Sequence, residues 1–148
     1  MAAALLDINV LVALAWPNHV HHQPAHKWFA ASRSRGWATC LFTQAAFVRL
    51  SAQPAVAGAT IPVREAIRLL EANLSAADHE FWPMPHGIPQ LMPEIRERLV
   101  GHHQLSDALL LDLAIRNGGT LATFDRRLES LLAPASIHQA ALEILPVE

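Results

Sequence analysis

Residues 5–14 read LLDINVLVAL, and a single charged residue, Asp7, interrupts an otherwise apolar run. Residues 2–6 have the length and composition of a buried strand, and residues 9–16 can form a helix that stops before Pro17. Asp7 therefore lies at the junction of a strand and a helix. Because burial of an unpaired carboxylate costs several kcal/mol, about the whole stability margin of a domain, we expect Asp7 to face water, a partner or a cation.

Segments typical of strands and helices alternate along the rest of the chain. Further helices are predicted at residues 23–35, at 43–53 with Thr43 as the cap, at 62–74, after a loop within 87–101, and at 106–117 with Ser106 as the cap. Further strands are predicted at residues 37–42, 79–85, 120–124 and 142–146. This alternation predicts an α/β fold with a mainly parallel central sheet flanked by helices. No linker or repeat divides the chain, so we expect one domain over residues 1–148.

The composition narrows the class of protein. Of the 148 residues, 52% are hydrophobic, which is enough for a core, but no apolar stretch approaches the roughly 20 residues of a membrane span. The single cysteine, Cys40, excludes an internal disulfide and agrees with a reducing compartment, so we expect a cytoplasmic protein. The net charge of −2 lacks the basic excess that is common in nucleic-acid-binding domains.

Three aspartates are expected to meet at one edge of the sheet. Asp7 and Asp125 each follow a predicted strand, and Asp107 lies in the first turn of a predicted helix. Each of them alone can be explained as a helix cap or a turn residue. Together, however, three carboxylates in one crevice repel one another unless a cation lies between them, and oxygen-only ligands favour Mg²⁺ or Mn²⁺. A divalent ion at this place favours hydrolysis of a phosphodiester.

Three stretches of the sequence together resemble the PIN-domain ribonucleases, in particular the VapC toxins of toxin–antitoxin pairs. They are LLDINVLVAL at 5–14, LFTQAAFVRL at 41–50 and LSDALLLDLAIRNGGTLATFD at 105–125, and they occur in the right order over nearly the whole chain. The resemblance implies a PIN-like three-layer fold, a metal-dependent activity on RNA, an antitoxin partner that blocks the site, and a homodimer.

The resemblance also implies roles for individual residues. Asp7, Asp107 and Asp125 match the metal-binding acids of the family, and the polar residues matched to its pocket are Asn9, Thr43, Thr123 and, in the Ser-Asp-Ala opening, Ser106. The family commonly has a glutamate in the stretch that reads TQAAFVRL here, where Gln44 or Ala46 stands instead. Gln44 can position a water through its amide, so we expect a weaker second metal site.

Two other functions compete with the nuclease. Without the glutamate, the domain can be a weak or inactive module that binds RNA or a protein partner. A phosphatase of the haloacid-dehalogenase type would use Asp7 as a nucleophile, but it needs a second aspartate at the position of Asn9 and a suitably placed lysine, and Lys27 is the only lysine in the chain.

The segment NHVHHQPAH, residues 18–26, contains four histidines: His19, His21, His22 and His26. The last two have the spacing of zinc ligands on a helix, but Pro24 separates them and no cysteine or acid completes a site. A polar turn at the start of a helix explains the histidines equally well, and we favour this interpretation.

The remaining candidates have simpler explanations. Asp112 is expected on a solvated helix face, paired with Arg116 four residues later. Arg49, Arg126 and Arg127 are either phosphate ligands or ordinary surface charges. Trp16, Trp28 and Trp37 can stack on bases, but their positions favour the core.

Overall fold

Five short strands form one sheet in the computed structural model, which describes residues 2–148. The strands are β1 (Ala4–Leu6), β2 (Trp37–Thr39), β3 (His79–Phe81), β4 (Thr120–Thr123) and β5 (Leu142–Ile144). Their order in the sheet is β3-β2-β1-β4-β5, and all four pairings are parallel. The expected mainly parallel sheet is confirmed.

Helices cover both faces of this sheet. They are α1 (Ile8–Ala15), α2 (His22–Ser32), α3 (Leu41–Ser51), α4 (Pro54–Ala57), α5 (Val63–Leu74), α6 (Pro93–Glu97) and α7 (Leu105–Arg116). Side chains alternate along β1, so Leu5 packs in a core with α6 and α7, whereas Ala4 and Leu6 pack in a second core with α1, α2, α3 and α5. The fold therefore has three layers. No helix in residues 2–148 combines the length and apolar character that crossing a bilayer requires.

The central position of β1 determines where the candidate residues meet. Leu5 lies beside Ala38 of β2 and Leu121 of β4, and the Asp7 amide donates to the Ala122 carbonyl at 3.0 Å. Because the strands are parallel, their carboxyl ends and the helices that follow them share one edge of the sheet.

Two predicted helix caps are wrong. The predicted strand 37–42 ends at Thr39, and α3 begins after Cys40, so Thr43 lies inside the first turn. The Thr43 hydroxyl accepts from the Cys40 amide at 3.0 Å and donates to the Cys40 carbonyl at 3.1 Å, which closes this turn from within. Ser106 is likewise not a cap, because a 3₁₀ turn over His102–Gln104 runs directly into α7.

The prediction of a solvated Asp112 is also wrong, although its predicted pairing with Arg116 is confirmed. Asp112 is only 6% exposed, because the chain around α6 packs over this face of α7. Its Oδ1 accepts from the Met92 amide at 2.9 Å, and its Oδ2 accepts from Arg116 Nε at 2.8 Å. The carboxylate therefore joins the start of α6 to α7.

The tryptophans lie where core residues were predicted. Trp28 and Trp37 are buried, and the half-buried Trp16 donates its indole N–H to the Ser51 hydroxyl at 2.9 Å. These contacts fix α1, α2 and α3 against the sheet.

Candidate active site

Asp7 is held at the end of β1 by three donors. It is 5% exposed and caps α1: its Oδ1 accepts from the Ile8 amide at 2.7 Å. Its Oδ2 accepts from the Thr123 hydroxyl at 2.7 Å and, more weakly, from Asn9 Nδ2 at 3.5 Å. Burial raises the pKa of Asp7, and the hydrogen bonds from Thr123 and Ile8 partly oppose this effect.

Thr123 connects this carboxylate to the end of β4. While its hydroxyl donates to Asp7, its oxygen accepts from Asn9 Nδ2 at 3.1 Å and from the Asp125 amide at 3.1 Å. Asn9 in turn accepts from the Phe124 amide through its Oδ1 at 3.2 Å. All the hydrogen-bonding capacity of the hydroxyl is used, so Asp7 and the Asp125 backbone are rigidly placed relative to each other.

Asp107 approaches the same place from the first turn of α7. It is half-buried, and burial together with the negative charges of Asp7 and Asp125 raises its pKa to about 6. Asp7 and Asp125 therefore lie close enough to Asp107 to affect its ionisation.

The pKa of Asp125, in contrast to that of Asp107, is lowered by a partner of opposite charge. Arg127 binds it in a bidentate pair, with Nε 3.0 Å from Oδ1 and an Nη 2.8 Å from Oδ2. The Arg127 amide also donates to Oδ1 at 2.9 Å. These hydrogen bonds lower the pKa of Asp125 and turn its carboxylate toward Arg127.

The three aspartates line one open cleft of about 530 Å³. The acidic end is formed by Asp7, Asp107 and Asp125 with Asn9, and the lining also includes Asn18, His19, Val20, Leu50, Ala55 and Val56. The lining thus combines an anionic group of residues with a mostly apolar group.

Comparisons with known proteins identify the family. The family model described as "PIN domain" matches residues 4–131. The chain belongs to the PIN-domain family. It is 43% identical to ribonuclease VapC39 of Mycobacterium tuberculosis over 84% of this chain and 90% of that protein. Ribonuclease VapC44 of the same organism is 39% identical over 92% of this chain and 95% of its own length.

A solved structure supports the fold of this PIN domain. The crystal structure of PAE2754 from Pyrobaculum aerophilum matches with a TM-score of 0.57 and 22% identity, over 97% of this chain and 84% of that chain. At this identity the likeness concerns the fold alone.

Several residues expected at the site of this PIN domain do not line the cleft. Thr43 is buried in the first turn of α3, Ala46 is buried in the core, and Ser106 is half-buried on α7. Gln44 donates its amide to Thr39 Oγ1 at 3.0 Å and thus faces the end of β2. Thr123 does not line the cleft, and it affects the site through its hydrogen bond to Asp7.

The candidate arginines also differ in whether they contact residues of the cleft. Arg127 is at the acidic end through Asp125, whereas Arg126 pairs with Glu129 at 3.6 Å and Arg49 is exposed outside the cleft lining. Within residues 2–148, no three His, Cys, Asp or Glu side chains are arranged to bind one ion directly.

The donor set nevertheless fits a hard divalent cation. Mg²⁺ usually takes only one or two carboxylates and keeps several waters, so Asp7 and Asp107 suffice as direct ligands. Burial, followed by the charges of Asp7 and Asp125, raises the pKa of Asp107, and a bound cation would lower it.

The cleft wall formed by Asn18, His19 and Val20 was not anticipated as part of the site. The only sequence signal for it was the run of histidines, which had been explained as a polar turn.

Proposed function

We propose that this PIN domain is a divalent-metal-dependent ribonuclease that hydrolyses phosphodiester bonds of RNA. The convergence of Asp7, Asp107 and Asp125 on one cleft carries the proposal, because the raised pKa of Asp107 reflects charge that a cation would neutralise. The names of the related VapC proteins, which are ribonucleases, support it.

Asp7 and Asp107 would hold Mg²⁺ or Mn²⁺, with Asp125 close enough to act through water. A divalent ion there supplies Lewis-acid stabilisation of the charge that develops on the reacting phosphate. Asp7 is suited to this role because the Ile8 amide and the Thr123 hydroxyl fix its orientation before any ligand arrives.

Asn9 and Arg127 have supporting roles in this proposal. Asn9 bridges Thr123 and the Phe124 amide, and it keeps the ends of β1 and β4 at a constant separation. The Arg127 side chain is 88% exposed, so its guanidinium can leave Asp125 and bind a phosphate oxygen of the RNA.

We further propose that the chain is the toxin of a toxin–antitoxin pair, acts in the cytoplasm and forms a homodimer. The likeness to VapC ribonucleases over most of the chain supports the pairing with a VapB-like antitoxin. An arginine of the antitoxin inserted beside Asp107 would neutralise the acidic end of the cleft.

A weak or inactive module that binds RNA is the second candidate. It is favoured by one observation: Gln44 is bound to Thr39 and Ala46 is buried, so neither residue adds a ligand to the cleft. Both proposed functions require binding of RNA, but only the ribonuclease cleaves it.

Incubation of the purified protein with total RNA tests the proposal. We expect cleavage with Mn²⁺ or Mg²⁺, none with EDTA, and none in Asp7→Asn or Asp107→Asn variants whose circular-dichroism spectra match the wild type. Cleavage that is unchanged by EDTA would reject the metal mechanism. RNA binding without cleavage under all conditions would favour the second candidate.

A further inference from the structure

The turn over residues 17–21 contributes part of the wall of the cleft that the aspartates also line. Asn18, His19 and Val20 line this wall, and Val20 is 83% exposed, so its side chain is free to contact a ligand in the cleft. Leu50, Ala55 and Val56 continue the same wall with apolar surface.

Histidines anchor this turn to the catalytic end of the fold. The His21 ring stacks on Phe124, the residue before Asp125, with ring centroids 4.7 Å apart and an interplanar angle of 24°. His22 Nδ1 binds the Ala13 carbonyl at 2.7 Å, and His26 Nε2 binds the Leu14 carbonyl at 2.8 Å. The turn is therefore fixed to both α1 and the end of β4.

His19 differs from the other histidines of this segment. Its Nδ1 accepts from the His21 amide at 3.0 Å, so the neutral ring carries its proton on Nε2. Within residues 2–148 this Nε2–H makes no hydrogen bond and is not a buried atom, so it is open to solvent or to a ligand in the cleft that the ring lines. Burial and the neighbouring His21 and His22 lower the pKa of His19, which keeps the ring neutral near pH 7.

The surroundings of His19 suit a nucleobase better than a phosphate. Among the described residues, no lysine or arginine lines the cleft, and a neutral imidazole adds no charge. An apolar wall with a few polar groups is the usual composition of a pocket for a planar ligand. Single-stranded RNA offers such a ligand, because its unstacked bases can leave the backbone and be read at their edges.

We propose that this wall is a base-binding subsite, in which His19 Nε2–H donates to the edge of one RNA base while Val20 and Val56 contact the face of that base. The proposal rests on the proposed function for the identity of the ligand, and it assigns the subsite to the nucleotide next to the phosphate that is cleaved. His19 would thereby contribute to sequence preference.

A pair of substitutions isolates the Nε2–H group. His19→Asn keeps an acceptor near the position of Nδ1 for the His21 amide, and its shorter side chain places no N–H at the position of Nε2. The matched control, His26→Gln, changes a histidine of the same segment that does not line this cleft and keeps a donor for the Leu14 carbonyl. The probe is a pool of short single-stranded RNAs of randomised sequence.

The cleavage experiment sequences the products formed from this pool with Mn²⁺. We expect wild type and His26→Gln to share a base preference at one position beside the cut. His19→Asn should flatten that preference and lower kcat/KM about tenfold through KM, as expected for one lost hydrogen bond, with Mn²⁺ affinity unchanged. The same preference and rate in His19→Asn would overturn the proposal.

A second measurement does not depend on cleavage. With Ca²⁺ in place of Mn²⁺, so that a cation offsets the charge of the aspartates, addition of the RNA pool to protein with ¹⁵N-labelled histidines should shift the imidazole resonances of His19 and leave those of His26 in place. If wild type does not cut RNA but the His19 signals shift, the ribonuclease proposal fails and the base-binding subsite stands. Unshifted His19 signals overturn the subsite whether or not the protein is a nuclease.

Discussion

Among the single residues of the cleft, Asp7 and Asp107 both have raised pKa values, so the ionisation of each opposes folding, and we take Asp107 as the test case. Its pKa in the folded protein is about 6, above its ordinary value of 3.8. The destabilisation is therefore absent below about pH 4, grows between about pH 4 and pH 6, and is fully present above that range. In metal-free buffer we expect Asp107→Asn to melt higher than wild type at about pH 7.5, and the difference to shrink at about pH 4, as measured by calorimetry.

Asp7→Asn is the matched control for this experiment. Asparagine keeps an oxygen for the Ile8 amide, so the cap of α1 remains, but its amide nitrogen cannot accept from the Thr123 hydroxyl. The gain in melting temperature should be smaller than for Asp107→Asn. An Asp107→Asn variant that melts lower than wild type at both pH values would show that Asp107 has a structural role instead.

If a cation binds at the aspartates as proposed, Arg127 competes with it for Asp125. Its bidentate pair occupies both carboxylate oxygens, so Arg127→Met should release Asp125 and raise its pKa from the lowered value. We expect Mn²⁺ to bind several-fold more tightly by calorimetry, with little change in melting temperature because Arg127 is exposed. Arg126→Met, which removes a neighbouring exposed pair, is the control. Equal Mn²⁺ affinity in both variants would mean that Asp125 does not reach the ion.

At the scale of elements, the turn between α7 and β4 places Asp107 and Asp125 on one cleft. A Cβ atom on Gly119 would lie 2.5 Å from the Ala3 carbonyl and 2.6 Å from the Trp82 ring, whereas Gly118 has φ +67° and open space around it. Gly119→Ala should cost about 2–3 kcal/mol by urea denaturation because a backbone atom cannot move away. Gly118→Ala should cost about 1–2 kcal/mol, from backbone strain alone. Equal costs would contradict this packing.

The order of elements could be predicted from the sequence because apolar strands and helix signals alternate regularly. The exact boundaries could not, because each central strand has only three or four residues and capping depends on local hydrogen bonds. Thr43 has a side chain typical of a helix cap, yet it lies in the first turn of α3, where its hydroxyl bonds to the backbone of Cys40. Asp112 has the spacing of a surface residue, yet the chain around α6 covers it.

The meeting of Asp7, Asp107 and Asp125 could be predicted from a general property of parallel sheets, that strand ends share one edge. The rest of the site depends on tertiary contacts. The pair between Asp125 and Arg127 and the stack of His21 on Phe124 follow from side-chain directions that no sequence spacing reveals.

For the whole molecule, binding of a cation should raise the free energy of unfolding. A ligand that binds only the folded state adds about 2.7 kcal/mol at a hundred times its Kd. We expect the melting temperature of wild type to rise steadily with Mg²⁺ concentration, and that of Asp7→Asn to rise little. Scanning calorimetry with Mg²⁺, and with matched ionic strength from KCl, separates binding from screening. The same rise in both proteins would exclude Asp7 as a ligand.

The central place of β1 in the sheet has a consequence for protein synthesis. Asp7 leaves the ribosome early, but its partner Thr123 is 116 residues further along the chain. At about 5–20 residues per second, translation needs about 6–23 s to cover this separation. Throughout that interval the nascent chain lacks β4, so the acidic cleft does not yet exist. A growing chain therefore lacks the proposed ribonuclease site for almost the whole time in which it is being translated.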